Sequence, residues 1–229
     1  MLPIFKSHYS VGRSILTLED KDELESTSPY SIVSICLNHK IKKPLLVDDS
    51  MGGFLEAYTN FTKHKINFIF GLRVTVCDDL TKKDEESRLS ESKVIVFMKS
   101  SSGYEKLIKL YSTAAKEGFY YYPRTDYKNL EEAWGDDLQL CIPFYDSYVY
   151  NNSFTNNICY PKLNFTKLTY FLENNNLILD HIVKEKILSL IEKTQEVKSI
   201  YLDKPELLYM SSDKFSFESW ASQNDIEIK

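Results

Sequence analysis

Four short apolar runs, separated by helical period or by polar loop, leave this chain few architectures. They are SIVSICLN (31 to 38), PLLVDD (44 to 49), INFIFGLRVTV (66 to 76) and KVIVFM (93 to 98). Each is rich in β-branched or large apolar residues with little polar alternation, the pattern of a strand covered on both faces. Between them, GGFLEAYTNFTKH (52 to 64) sets Phe54, Leu55, Tyr58, Phe61 and Thr62 on one helical face. GYEKLIKLYSTAAKEG (103 to 118) does the same with Tyr104, Leu107, Ile108, Tyr111 and Ala115, and Gly118 closes it. Strands alternating with amphipathic helices predict an α/β fold. The sheet is then parallel, a barrel or an open wound sheet, with helices over its faces.

Beyond residue 145 the periodicity loosens. LDHIVKEKILSLIEKTQ (179 to 195) reads as a helix with Asp180 as N-cap, and LLYMSSDKFSFESW (207 to 220) as one more strand-like run. With 229 residues and 43% hydrophobic content the chain can bury a real core, and residues 1–229 are expected to form a single domain. The N-terminus meets its first charge at Lys6 and no run approaches the length of a membrane span, so neither a span nor a secretory signal is expected and the location is cytoplasmic. Cys36, Cys77, Cys141 and Cys159 never form Cys-x-x-Cys, which predicts reduced structural thiols. The net charge is −5 and the cations are dispersed, which disfavours strong direct nucleic-acid binding, since such affinity comes from neutralising phosphates. A leaning to Asn, Lys, Ile, Tyr and Ser with only 7 Gly suits an AT-rich, phage-like genome.

Local candidates are few. His8, His39, His64 and His181 do not cluster, and SSSGY (100 to 104) lacks the Gly and Lys spacing of a phosphate-binding loop. CDDLTKKDEESRLSES (77 to 92) reads as a solvated loop, with docking as the alternative. GFYYYPRTDYKNL (118 to 130) crowds aromatic residues with neither helical nor strand period. In YDSYVYNNSF (145 to 154) tyrosines sit among Asn and Ser, the composition of interfaces, which makes Tyr145, Tyr148 and Tyr150 the candidate partner-binding residues.

KSHYSVGRSIL, PLLVDDSMGGFLEAY, KINFIFGLRVTV, VIVFMKSSSGYEKLIKLYSTAAKEGFYYYPR and DDLQL, in this order, resemble the PHP (polymerase and histidinol phosphatase) domain of bacterial DNA polymerase III alpha subunits. The resemblance covers residues 4 to 145, and LLYMSSDKF near the end more weakly. It implies a distorted (βα)7 PHP-like barrel, its last third rebuilt or truncated, in which the aromatic Pro-Arg stretch is a structural loop and barrel wall. Active relatives hold up to three metal ions on His, Asp, Glu and Cys and hydrolyse phosphoesters.

The ligand positions implied by that resemblance have changed. The opening His-x-His falls on Ile4 and Lys6, the Asp-His pair on Asp48 and Asp49, an acidic ligand on Arg73, and a His on Lys93. The Cys position falls near Pro143 or Phe144, slightly past Cys141, and a last Asp-x-His on Asp213 and Phe215. Ile has no donor atom and Lys is protonated, so neither ligates a metal at neutral pH. The expectation is a retired metal pocket at Lys6, His8, Asp48, Asp49, Arg73, Lys93, Asp213 and Phe215, with no cofactor, its cations facing Asp48 and Asp213. The chain is then a stand-alone, non-catalytic accessory of a replication complex, binding DNA polymerase or its proofreading exonuclease in trans. The alternative is a metal-dependent phosphoesterase or 3′–5′ exonuclease with rearranged ligands, built on His8, Asp48, Asp49 and Asp213.

Overall fold

Ser31 decides how the first apolar run folds. In the computed structural model, which describes residues 3–20, 30–155, 158–173, 177, 179–194 and 198–201, SIVSICLN is a helix and not the expected strand. Ser31 stands at the N-cap in extended backbone and its hydroxyl oxygen accepts from the N–H groups of Val33 and Ser34, starting helix α1 (Ile32–Asn38). Ile32, Val33, Ile35 and Cys36 are buried, a spacing that serves one helix face as well as a covered strand. The cap and that burial override the β propensity of Ile and Val.

The chain divides into two compact units, the first including the residues up to Phe70 and the second Gly71–Leu202. In the first, β1 (Ile4–Phe5) pairs in parallel with β2 (Leu45–Asp48), Ile4 opposite Leu45. Helix α2 (Phe54–Lys63) follows where expected, but its buried face is Phe54, Ala57 and Phe61, while Leu55 and Tyr58 lie exposed. Phe54 and Phe61 both stack toward Phe68, with ring centroids at 6.0 and 5.0 Å, and this places the small Ala57 inward.

The second unit is built on a mixed sheet. Strand β3 (Ile69–Cys77) pairs antiparallel with β4 (Ser92–Met98), and β4 antiparallel with β6 (Leu138–Ile142). Parallel pairs join β3 to β5 (Arg124–Asp126), β6 to β7 (Thr169–Leu172), and β7 to β8 (Lys198–Tyr201). The α/β class is as expected, but a wholly parallel sheet is not what forms. Residues 78–91 contain only the single turn α3 (Glu85–Arg88), too short for a parallel crossover, so the chain doubles back.

Helix α4 (Ser101–Lys116) buries Gly103, Leu107, Leu110 and Ala114 in place of the expected face, and Ile108 is exposed. At Gly103 a side chain would press on the Asp137 carbonyl, so the smallest residue lets the helix seat closely. Gly118 acts the same way against the Arg124 carbonyl, while the C-cap is Glu117. Two short helices, α5 (Tyr127–Glu132) and α6 (Tyr148–Phe154), come before β7. Helix α7 (Asp180–Thr194) forms as expected, but Asp180 is its first residue and not the N-cap, and its carboxylate accepts from the Leu177 N–H and the Tyr145 hydroxyl. The run 207 to 220 lies outside the described residues. All four cysteines are buried and free, and burial pushes the thiols of Cys36 and Cys141 up to about 12 and Cys77 to about 11. Among the described residues no helix is long and apolar enough to cross a membrane.

The aromatic run has a structural task, as expected from the resemblance. Arg124 is fully buried, the largest side chain so enclosed among the described residues. Its Nη1 donates to Glu91 Oε1 at 2.7 Å, its Nε to the Gly118 carbonyl at 3.1 Å and its Nη2 to the Lys82 carbonyl at 2.9 Å. Tyr122 donates to the other oxygen of Glu91 at 2.6 Å, and the guanidinium stands 5.0 Å from the Tyr120 ring centroid. Removing one partner of a buried pair strands the other charge. Arg124→Met is therefore expected to cost about 3–5 kcal/mol in urea unfolding, and Arg124→Met with Glu91→Met to recover part of that loss. A single variant within about 0.5 kcal/mol of the parent contradicts this account of the pair.

Candidate functional site

In the first unit the implied ligand positions converge on Asp48, at the end of β2. Its side chain is fully buried and three donors surround it. Oδ1 accepts from the Ser7 N–H and the Ser10 hydroxyl, both at 2.8 Å, and Oδ2 from the Ser7 hydroxyl at 2.6 Å. Ser10 Oγ in turn accepts the Asp49 N–H at 2.9 Å. The chain leaving β1 is thus tied to the end of β2 by hydroxyls. Burial raises the Asp48 carboxyl above its usual range, and the hydrogen bonds from Ser7 and Ser10 and the charge of Lys6 oppose that shift. Lys6 Nζ lies 3.7 Å from Asp49 Oδ2, so its ion-pair partner is Asp49 and not the expected Asp48 or Asp213. His8 is exposed, with Nδ1 3.3 Å from the Leu16 carbonyl.

In the second unit Arg73 forms a 2.6 Å ion pair with Asp146, a residue the sequence reading did not single out. Asp146 follows β6 with φ 58°, and its carbonyl accepts the Lys93 N–H at 2.8 Å. Lys93 stands opposite Thr75 on the paired strands, and its Nζ is 5.8 Å from the Tyr122 ring centroid. Asp213 and Phe215 lie outside the described residues. Cys141 is buried within β6, opposite Ile95 and Thr169.

The described part of the implied donor set, Asp48, Asp49 and His8, is not gathered as a metal cluster. No group of three or more His, Cys, Asp and Glu is placed to hold a metal ion among the described residues. Every proton donor that a metal would displace from Asp48 is already in place, and the neighbouring position carries an ammonium.

The candidate partner-binding tyrosines are used inside the second unit. Tyr145 donates to Asp180 at 2.9 Å, and the Tyr148 hydroxyl hydrogen-bonds to the Tyr170 hydroxyl. Burial raises the Tyr148 phenol well above its ordinary value. Tyr150 packs its ring 5.5 Å from Tyr145 and 5.2 Å from Phe154. Ser7, Ser10, Asp146 and Glu91 carry most of the polar geometry and were missed. Each acts on a residue dozens of positions away, and a lone Ser or Glu gives no local signal of that.

The first unit carries a buried aspartate at the end of β2, and the second a mixed sheet in an α/β fold. The match to a family model gives the class: residues 24–151, more than half of the chain, match the PHP domain, and the chain belongs to the PHP family. Its fold is accordingly that of the PHP barrel class. Among curated proteins it is similar to DNA polymerase III subunit alpha of two Helicobacter pylori strains, 36% identical in each case over 85 residues, or 36% of this chain. The match spans 7% of the length of those relatives.

The hydrogen-bond clamp predicts how Asp48 responds to substitution. Asn keeps an acceptor for the Ser7 N–H and offers donors that a rotated serine hydroxyl accepts, whereas Ala leaves buried donors unmet, at a cost of about 1–3 kcal/mol. Because the folded carboxyl is raised above 3.8, its stabilising contribution is complete below that pH and is lost as pH climbs through the folded value. Asp48→Asn does not ionise, so its melting temperature relative to the parent should rise between pH 4 and pH 7, while Asp48→Ala melts lower at both. A large loss in Asp48→Asn at pH 7 would show that the charge itself is needed.

Proposed function

We propose that this chain is a non-catalytic PHP protein, a protein-binding or structural accessory of a DNA replication complex. The observation that carries the reading is the occupied state of Asp48: Ser7 and Ser10 hold the carboxylate that the family resemblance assigns to metal, and Lys6 stands beside Asp49. Ile4, Arg73 and Lys93 supply no ligand at their implied positions either. The similarity to polymerase III alpha subunits supports a replication context, with a DNA polymerase or its proofreading exonuclease as the partner. The net charge of −5 argues against duplex DNA as that partner, since phosphate binding needs clustered cations.

Protein purified without chelators is expected to carry less than about one equivalent of Zn, Mn or Fe, because a hydrolytic centre needs three or more donors per metal and an open position. It should leave phosphomonoesters and single-stranded DNA intact with Mn²⁺ or Zn²⁺, and associate with purified polymerase or exonuclease subunits. Two or more stoichiometric metals, with hydrolysis lost in the Asp48→Asn, Asp213→Asn double variant, would make it a phosphoesterase instead.

A further inference from the structure

Helix α2 is apolar beyond the side it buries. Phe54, Ala57 and Phe61 face inward, while Leu55, Tyr58, Thr59 and Thr62 are exposed, and the outward Lys63 is drawn 2.6 Å onto the buried Asp20. Spacings of three and four put those four residues on adjoining turns of one helix side, and the Thr59 hydroxyl donates to the Leu55 carbonyl at 2.9 Å. A surface helix ordinarily carries charge opposite its buried face. Among the described residues α4 does so with Glu105, Lys109 and Lys116, and α7 with Lys184, Glu185 and Lys186.

The outer side of α2 is also the rim of an aromatic stack. Tyr58, 54% exposed, lies against Phe54 with ring centroids 6.0 Å apart, and Phe54 meets Phe68 at 6.0 Å and Phe70 edge to face at 5.3 Å. Leu55 beside it is 71% exposed. A further ring placed on Tyr58 would extend a stack that is already in position.

The chain itself holds an occupant of that chemistry. Residues 202–229 lie outside the described residues and include FSFESW (215 to 220), with Phe215, Phe217 and Trp220 close together. A stretch that short builds no core of its own, since below about 40 residues apolar burial seldom suffices. From Tyr201 to Trp220 an extended chain spans about 60 Å, so reach does not choose the place and surface chemistry does. A tethered segment is presented at an effective concentration on the order of mM, ahead of a separate protein with the same side chains.

We infer that residues 215–220 dock on the outer side of α2, with Phe215, Phe217 and Trp220 covering Leu55 and Tyr58. The contact lies within one chain and goes beyond the accessory reading, which it neither needs nor tests. It assigns Phe215, an implied ligand position, to packing.

Trp134 and Trp220 are the two tryptophans of the chain, so Trp134→Phe in the full chain leaves Trp220 as sole reporter. Acrylamide should then quench it about threefold or more below N-acetyltryptophanamide, because protection follows the docked fraction. Leu55→Gln with Tyr58→Gln should remove that protection. Gln keeps helix propensity, and a melting curve checks the fold. Ile108→Gln, on the exposed side of α4, should change nothing. A second measurement leaves Trp134 in place: Thr59→Cys should react with a maleimide about tenfold faster once Phe215, Phe217 and Trp220 are changed to Ser, against a background of four buried native thiols. Trp220 as open to quencher as the free amide, or protection indifferent to the α2 double variant, overturns the inference. So does protection that fades on dilution, because a second copy then covers the helix. Binding of a polymerase or exonuclease subunit that requires Leu55 and Tyr58 while Trp220 stays open overturns it too, and gives the face to a partner.

Discussion

Arg124 and Glu91 meet 2.7 Å apart in a place neither could occupy alone, and the second unit is organised around them. The guanidinium reaches the end of α4 through the Gly118 carbonyl, the loop before α3 through the Lys82 carbonyl, and the start of β4 through Glu91. Those carbonyls lie where the chain changes direction and have no ladder to pair with, so a side chain must satisfy them. Arginine is suited to this because its planar fork offers five donors in fixed directions. An apolar residue of similar bulk would fill the space and leave the carbonyls unmet. The crowded tyrosines follow from the same demand: Tyr122 completes Glu91 and Tyr120 covers the guanidinium, while the more exposed Tyr121 donates to Glu85 and lies under Arg88.

Asp48 poses the corresponding problem in the first unit. A carboxylate buried at a strand end needs either a cation or several donors. Here the donors come from Ser7 and Ser10, close in sequence and both on the segment that leaves β1. The clamp gives that loop a fixed seat on the end of β2.

Legibility in the sequence tracked length and periodicity. PLLVDD, INFIFGLRVTV and KVIVFM became β2, β3 and β4, and the three long amphipathic stretches became α2, α4 and α7. SIVSICLN did not read correctly, because an apolar run that short looks the same as a buried helix or a covered strand, and only its Ser31 contacts separate the two. The helix faces were rotated because large apolar residues were given the core, whereas Ala57, Gly103 and Ala114 sit there to let backbones approach. The antiparallel return of β4 was legible in principle: residues 77 to 92 carry no helical period, and a parallel crossover requires a helix. At the candidate site the positions of Asp48 and Arg73 could be named from sequence, but not their partners. Ser7 lies 41 residues from Asp48 and Asp146 lies 73 from Arg73, and no local pattern encodes such pairings.

The four enclosed thiols have a further consequence. With no disulfide among them, and with Cys36, Cys77 and Cys141 held so far above neutrality that almost no thiolate forms, the folded chain offers little to an oxidant or an alkylating reagent. Each sulfur reacts only when its surroundings open. Cys36 belongs to the first unit and Cys77, Cys141 and Cys159 to the second, so the chain carries native clocks for the opening of each unit, readable from the order in which its cysteines are modified.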